Sequence, residues 1–349
     1  MALTQVSPGM LASDSQYTGF KNRIINGAMT INQRGSSITS NGYSLDRYLI
    51  TAVSGSKMTV QQSSDAPTGF SNSLLITSSA ATTIGSTDYY DIGQRIEGFN
   101  TYDLMFGTAN AKTITISFWV KSSLTGTFGA SLQNSAQNRS YPFTFTISTA
   151  STWTQISTTI AGDTSGTWVG ATAGIGMQLL FNLGTGSSTL GTAGAWTAGY
   201  IFPTGEVNIL ATNGATLQIT GVQLEKGSTA TSFDYRPYGT ELQLCQRYFE
   251  IMENASMQGS ADSATLFIGV YRFLIEKRSA PTLTLLTSTP AISEITIADR
   301  TGSGSALGTN FIGTKSMRYQ ISGFSSMTAR NPVIGNGTTT GIISLSSEL

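Results

Sequence analysis

The 349-residue chain is long enough for two domains at about 100 to 200 residues each, and its nineteen Lys and Arg balance nineteen Asp and Glu. Charged residues make up 11% of it against a usual value of about 25%, so Ser, Thr and Gly carry the surface polarity, and no broad field draws a nucleic acid or an anionic membrane. Histidine is absent and Cys245 is the single cysteine, which removes Ser-His-Asp and Cys-His catalysis, zinc-histidine sites, thiolate clusters and any intrachain disulfide.

In chain order, residues 1–20 are too short and polar to fold alone, yet they carry Leu3, Val6, Met10 and Leu11; the expectation is an arm, either disordered or docked on another chain. The N-terminus lacks a basic stretch followed by an apolar one, and no uncharged apolar run reaches the roughly 18 residues of a membrane span, so neither a secretory signal nor membrane insertion is expected. Thereafter short runs of Thr, Ile, Val and Phe alternate with Gly, Ser and Asn clusters, the texture of an all-β chain. The clearest strand runs from Thr113 to Lys121, with Ile114, Ile116, Phe118 and Val120 on one face and Thr115, Ser117, Trp119 and Lys121 on the other. Phe143, Phe145 and Ile147 alternate likewise, as do Ile156 and Ile160, while Gly221 interrupts the run after Leu217 and Ile219 and marks a bulge. Asn41-Gly42, Asn213-Gly214 and Asn336-Gly337 read as turns.

These strands fit a jelly-roll sandwich over 21–238, with the glycine-rich stretch 162–205 as long loops over the apolar run Met177 to Leu183. Arg236-Pro237-Tyr238-Gly239 marks a boundary, after which Leu242, Cys245 and Phe249 allow one short helix. Strand texture then resumes at Leu266–Ile275, Thr282–Leu286, Ile292–Ile297, Met317–Phe324 and Ile342–Leu345, enough for a smaller C-terminal β-sandwich over 239–349.

Two segments carry a resemblance. KNRIINGAMTINQRG, Lys21 to Gly35, followed by Tyr43 to Tyr48, resembles the opening of a family of tailed-phage virion proteins described as tail fibres or tail-associated proteins. GVQLEKGSTATSFDYRPY, Gly221 to Tyr238, resembles the end of the same domain. The middle of the chain, with Gln94 to Gly98, ISFWVKSS and the Trp153 strand, is similar to carbohydrate-binding-module jelly rolls. The resemblance implies a virion component that forms a homotrimer, meets other virion proteins through residues 1–20 and contacts a host-surface glycan, with a decoration protein lacking any receptor role as the alternative. Such jelly rolls often hold a calcium through an acidic dipeptide near the domain end, where this chain has Gly221-Val222-Gln223-Leu224, so no metal or other cofactor is expected.

Trp168, Trp196 and Tyr200, set among glycines, are the leading glycan-stacking candidates, joined by Trp119 on the polar face of its strand; packing under a loop or against a subunit is the commoner role for such residues. Trp153 is expected in the core. Tyr43, Tyr89 and Tyr90 with Asp88 and Asp91 form an aromatic and acidic cluster without the dense oxygen spacing of a calcium loop. Glu97 and Glu225 are the carboxylates in motif-like segments, for which salt bridges to Arg95 or Lys226 are favoured over paired glycosidase chemistry, so no catalytic residue and no enzyme is expected. Arg47 reads as pairing with an acid across the sheet, Lys277-Arg278 as a solvated edge, and Gly302-Ser303-Gly304 as a turn.

Overall fold

The computed structural model describes residues 20–35, 37–286, 290–294, 298–301, 306–308, 311–335 and 341–349. The arm residues 1–19, the turns at Asn336-Gly337 and Gly302–Gly304, and the end of the Ile292–Ile297 run lie outside them. Contacts divide the chain into two units, 1–238 with Leu349 and 239–348.

The first unit contains fourteen described strands: β1 (Gly42–Tyr43), β2 (Leu49–Ala52), β3 (Met58–Ser63), β4 (Ser73–Ser78), β5 (Tyr89–Glu97), β6 (Ile114–Ser122), β7 (Gly126–Gln133), β8 (Arg139–Ile147), β9 (Thr154–Ile160), β10 (Ile175–Thr185), β11 (Leu190–Gly191), β12 (Thr197–Ala198), β13 (Phe202–Pro203) and β14 (Thr216–Lys226). One antiparallel sheet has the order β1-β2-β5-β10-β7-β8-β12 and faces a second of order β3-β4-β14-β6-β9, while β11 and β13 form a small parallel pair. The chain passes repeatedly from one large sheet to the other, as a jelly roll requires.

Period-2 alternation makes the core. Ile114, Ile116, Phe118 and Val120 of β6 are fully buried, and Phe118 meets Phe181 and Phe145 edge-on at centroid distances of 5.0 and 5.1 Å. The Met177–Leu183 run lies in β10, one central strand of the larger sheet, buried on both faces. Gly221 has φ +61 and sits where the β14–β6 register shifts between Thr220 and Gln223; a Cβ there would press on the rings of Phe70 and Trp119.

The two motif segments close this unit on itself. Asn22 donates to the Val222 carbonyl (3.0 Å) and accepts from the amides of Ile24 (2.9 Å) and Leu224 (3.1 Å). Asp234 accepts from the amides of Lys21 (2.7 Å) and Asn22 (3.1 Å), and Arg236 donates to the carbonyls of Ile24 and Asn22. Gln94 holds the Ile25 amide and carbonyl at 2.8 and 2.7 Å. The residues that carry the resemblance therefore satisfy buried backbone groups.

In the second unit, helix α1 (Tyr238–Gln246) precedes β15 (Phe249–Glu253), β16 (Gln258–Ala261), β17 (Leu266–Arg272), β18 (Thr282–Leu285), β19 (Ala291–Glu294), β20 (Ala298–Thr301), β21 (Ala306–Gly308), β22 (Ser316–Ser322), β23 (Pro332–Gly335) and β24 (Gly341–Ser346). A sheet of order β15-β24-β18 and one of order β20-β19-β23-β16-β17-β22-β21 share a core that includes Met252, Phe267, Tyr319, Ile321 and Ile343.

Two expectations are corrected. Lys277 is buried rather than solvated: its ammonium pairs with the buried Glu250 carboxylate at 2.5 Å and donates to the Gln246 carbonyl, while Arg278 donates to the carbonyls of Ser347 (2.7 Å) and Glu348 (2.8 Å). Its partner stands 27 residues away, beyond the reach of a local reading. Trp153 is half-buried outside the core, because the inward side chains next to it are Ile156 and Ile160, of opposite parity.

Candidate functional site

Between β5 and β6 the chain makes two 3-10 turns, Gly98–Asn100 and Tyr102–Leu104, and the loop between β9 and β10 runs beside them. Backbone bonds join the two loops: Gly98 N–H to Gly174 O (2.8 Å), Phe99 N–H to Thr172 O (3.0 Å) and Gly107 N–H to Asp163 O (2.7 Å). Arg23, from the N-terminal motif, secures the first loop by donating to the Asn100 carbonyl (3.1 Å) and to Asp103 (2.8 Å).

Where the loops meet, a pocket of about 50 Å³ is lined by Thr101, Tyr102, Phe106, Trp168, Val169 and Met177. Trp168 forms one wall. Its indole N–H donates to Asp163 (3.3 Å) and to the Ser165 carbonyl (3.2 Å), and Asp163 in turn accepts from Nε and Nη2 of Arg139 at 2.8 and 2.7 Å. That bidentate bond to buried Asp163 raises the Arg139 pKa, so the clamp stays charged. Phe106 stands edge-on to Trp168 at 4.9 Å, and Trp196 lies 5.5 Å from Trp168. Tyr102 of the lining is 57% exposed, and the same loop exposes Phe99 (50%) and Met105 (40%). A rigid aromatic recess with hydroxyls at Thr101 and Tyr102 suits an apolar ring face flanked by hydrogen-bonding groups.

The structure thus brings Trp168 and Trp196 together, and Trp196 serves as backing: its N–H donates to Ala161 O at 2.7 Å and its ring packs on Phe106 and Tyr141. Tyr200 is elsewhere, over the outer face of the larger sheet, where its hydroxyl donates to Asp91 and its ring meets Tyr89 at 5.8 Å. Trp119 lies on the outer face of the smaller sheet beside Thr220 and Gln155. The same face carries the Lys121–Asp65 ion pair and Trp153, whose N–H donates to Asp65 at 3.3 Å while Lys121 sits over its ring.

Of the acidic and aromatic cluster, Tyr89 and Asp91 meet Tyr200, whereas the Tyr90 hydroxyl bonds Ser54 and Asp88 accepts from the Gly85 amide. Glu97 and Glu225 are both buried; Glu225 accepts from Thr231 N–H (2.8 Å), Thr231 Oγ1 (2.7 Å) and Gln223 (2.9 Å). Arg47, at φ +74, donates to the Arg95 carbonyl at 2.5 Å. Among the described residues no three His, Cys, Asp or Glu side chains gather to hold a metal, and no helix is long and apolar enough to cross a membrane.

Sequence reasoning missed Phe99, Tyr102, Met105 and Phe106. The stretch GFNTYDLMFG, a glycine-bounded loop dense in large apolar side chains, was the available signal.

The chain matches no protein-family model and no curated protein sequence. Among solved structures it is similar to the enzymatically active domain of bacteriophage CBA120 tailspike protein 4, at 12% identity and TM-score 0.34 over 59% of this chain and 21% of that one, about a fifth of its length. TmCBM61 in complex with beta-1,4-galactotriose aligns at 10% identity and TM-score 0.31 over 59% of this chain and 99% of that one. The family 11 carbohydrate-binding module from Clostridium thermocellum aligns at 12% identity and TM-score 0.31 over 56% and 98%.

Proposed function

We propose that the jelly-roll unit binds a glycan at the Trp168 pocket, and that the chain is a non-enzymatic virion protein, a phage tail fibre or receptor-binding protein. The reading is carried by one observation: an aromatic wall, Trp168, locked by Asp163 and Arg139 beside the exposed Tyr102. In this reading the chain is a homotrimer, assembled in the host cytoplasm, that joins other virion proteins through residues 1–20. Several weak contacts then act together, because each first contact raises the effective concentration for the next. The absence of histidine and the enclosure of Glu97 and Glu225 support a role without hydrolysis.

The test is Tyr102→Ala, whose side chain is more than half exposed and stands outside the main core. It should weaken binding to immobilised host polysaccharide by about 5- to 30-fold, equivalent to about 1–2 kcal/mol, with unchanged melting. Undiminished binding by this variant would remove the pocket from consideration. Incorporation into particles with no polysaccharide or cell binding at all would favour the decoration role.

A further inference from the structure

Residues 186–207 run across the outer face of the larger sheet. β12 pairs with Arg139 and Ser140, and three amides bond the sheet's carbonyls: Gly194 to Pro142 (2.9 Å), Gly199 to Asn138 (3.0 Å) and Val207 to Thr127 (2.7 Å). Beneath lies a polar layer, with Asp91, Ser131, Gln133, Gln178 and Asn182 all buried, although strand parity points them away from the core.

Three acceptor atoms here have no hydrogen-bond donor: Oδ1 of Asp91, Oε1 of Gln133 and Oε2 of Glu206. Asp91 and Asn182 face each other across β5 and β10. Asn182 donates to the other Glu206 oxygen, and Glu206 itself comes from the crossing segment and rests over Gly129, where any Cβ would overlap its carboxyl. Two carboxyl groups, one from the sheet and one from the strap, therefore flank a single asparagine, each with one buried oxygen that has no donor.

We propose that residues 186–207 form a proton-operated strap: it is held down while Asp91 and Glu206 are protonated, and it lifts when they ionise, baring the polar sheet face. Burial pushes Asp91 up to about 7 despite its bond from Tyr200, and Glu206 up to about 8. The titratable and charged groups facing Asp91 are Tyr200 from the strap and Tyr89 and Arg95 from its own sheet strand, while β2 and β10 contribute Thr51 and Asn182. Glu206 meets Asn182, Gly129 and Pro203, none of them charged, and burial alone accounts for its shift. An open strap would return both groups to water and to ordinary carboxyl behaviour. The closed form then binds more protons than the open one, and each pH unit between the two sets of values multiplies opening about tenfold per carboxyl. Buried Phe202 and Pro203 oppose release, so opening is a rare excursion that amide exchange can count.

The experiment is hydrogen exchange of the full chain at pH 5.5 and 7.5, corrected for intrinsic rates. Opening at the Gly194, Gly199 and Val207 amides should rise at least tenfold between the two, and at both pH values it should exceed opening in β6, which exchanges through global unfolding. Glu206→Gln and Asp91→Asn should each reduce the rise by the share of the carboxyl lost, and the double variant should flatten it. Equal protection of the wild-type strap at both pH values overturns the proposal, as does strap opening no more frequent than that of β6, or a rise that survives intact in Glu206→Gln. The wild-type comparison decides by itself if Asp91→Asn fails to fold.

Discussion

Trp168 is positioned before any ligand arrives. Its N–H is bonded and Phe106 stands edge-on to it, so a sugar ring would meet a surface that loses little rotamer freedom on binding. The same packing gives it a structural duty. Trp168→Ala should cost about 2–4 kcal/mol of stability as well as binding, whereas Tyr102→Ala should cost binding alone; parallel thermal melts and polysaccharide titrations separate the two. In the second unit, Lys277 and Glu250 neutralise each other out of water, and Tyr271 donates to Glu250 at 2.7 Å. Desolvation lowers the Lys277 pKa, which Glu250 opposes. Lys277→Met should lose about 3–5 kcal/mol in urea denaturation by stranding a buried carboxylate, and Lys277→Met with Glu250→Gln should recover at least half of that.

At the scale of elements, the closure of the jelly roll depends on side chains acting as backbone partners. Asn22 bonds β14 beyond Ile219, where its ladder with β4 ends, serving two amides and one carbonyl of segments about 200 residues apart. Asn22→Ala leaves these groups buried and unpaired, and should destabilise the first unit by about 2–4 kcal/mol in a denaturant titration; Asn22→Asp, which keeps the acceptor, should cost less at neutral pH. A loss for Asn22→Ala within ±0.5 kcal/mol would mean that water reaches these groups. The proposed strap depends on the same principle in reverse: the closed form favours the neutral carboxyls of Asp91 in the sheet and Glu206 in the strap because each has a buried oxygen without a donor.

At the scale of the whole molecule, each unit has its own core, so residues 20–238 should fold as a separate protein with one cooperative melting transition. Its stability carries a pH signature. A carboxyl whose folded pKa lies above its unfolded value stabilises the fold fully below the unfolded value, and that contribution is lost as pH rises through the folded one. With Asp91 raised from 3.8 to about 7 and Glu206 from 4.5 to about 8, melting temperature should fall between about pH 4 and 8. Asp65, lowered first by its bond from Lys121, acts oppositely, and only as pH falls through its own depressed value. A melting temperature that is flat or rising over that window in wild type, and unchanged in Asp91→Asn, would contradict this assignment. Light scattering of the full chain tests the trimer, whose expected mass is three times that of one chain.

What the sequence determined by itself was local. Alternation at period 2 defined β6, β8 and β9 and told which side of β6 is core, because pleat geometry allows no other outcome once Ile114, Phe118 and Val120 must leave water. Gly221 likewise announced its bulge. The tertiary structure decided everything that depends on pairing between distant segments: that Trp168 meets Tyr102 while Tyr200 does not join them, that Lys277 finds Glu250, and that Asp91 is roofed by a strap more than 90 residues later in the chain. Only sheet order brings these segments side by side, and sheet order follows from hydrogen bonds between strands that no single stretch of sequence contains.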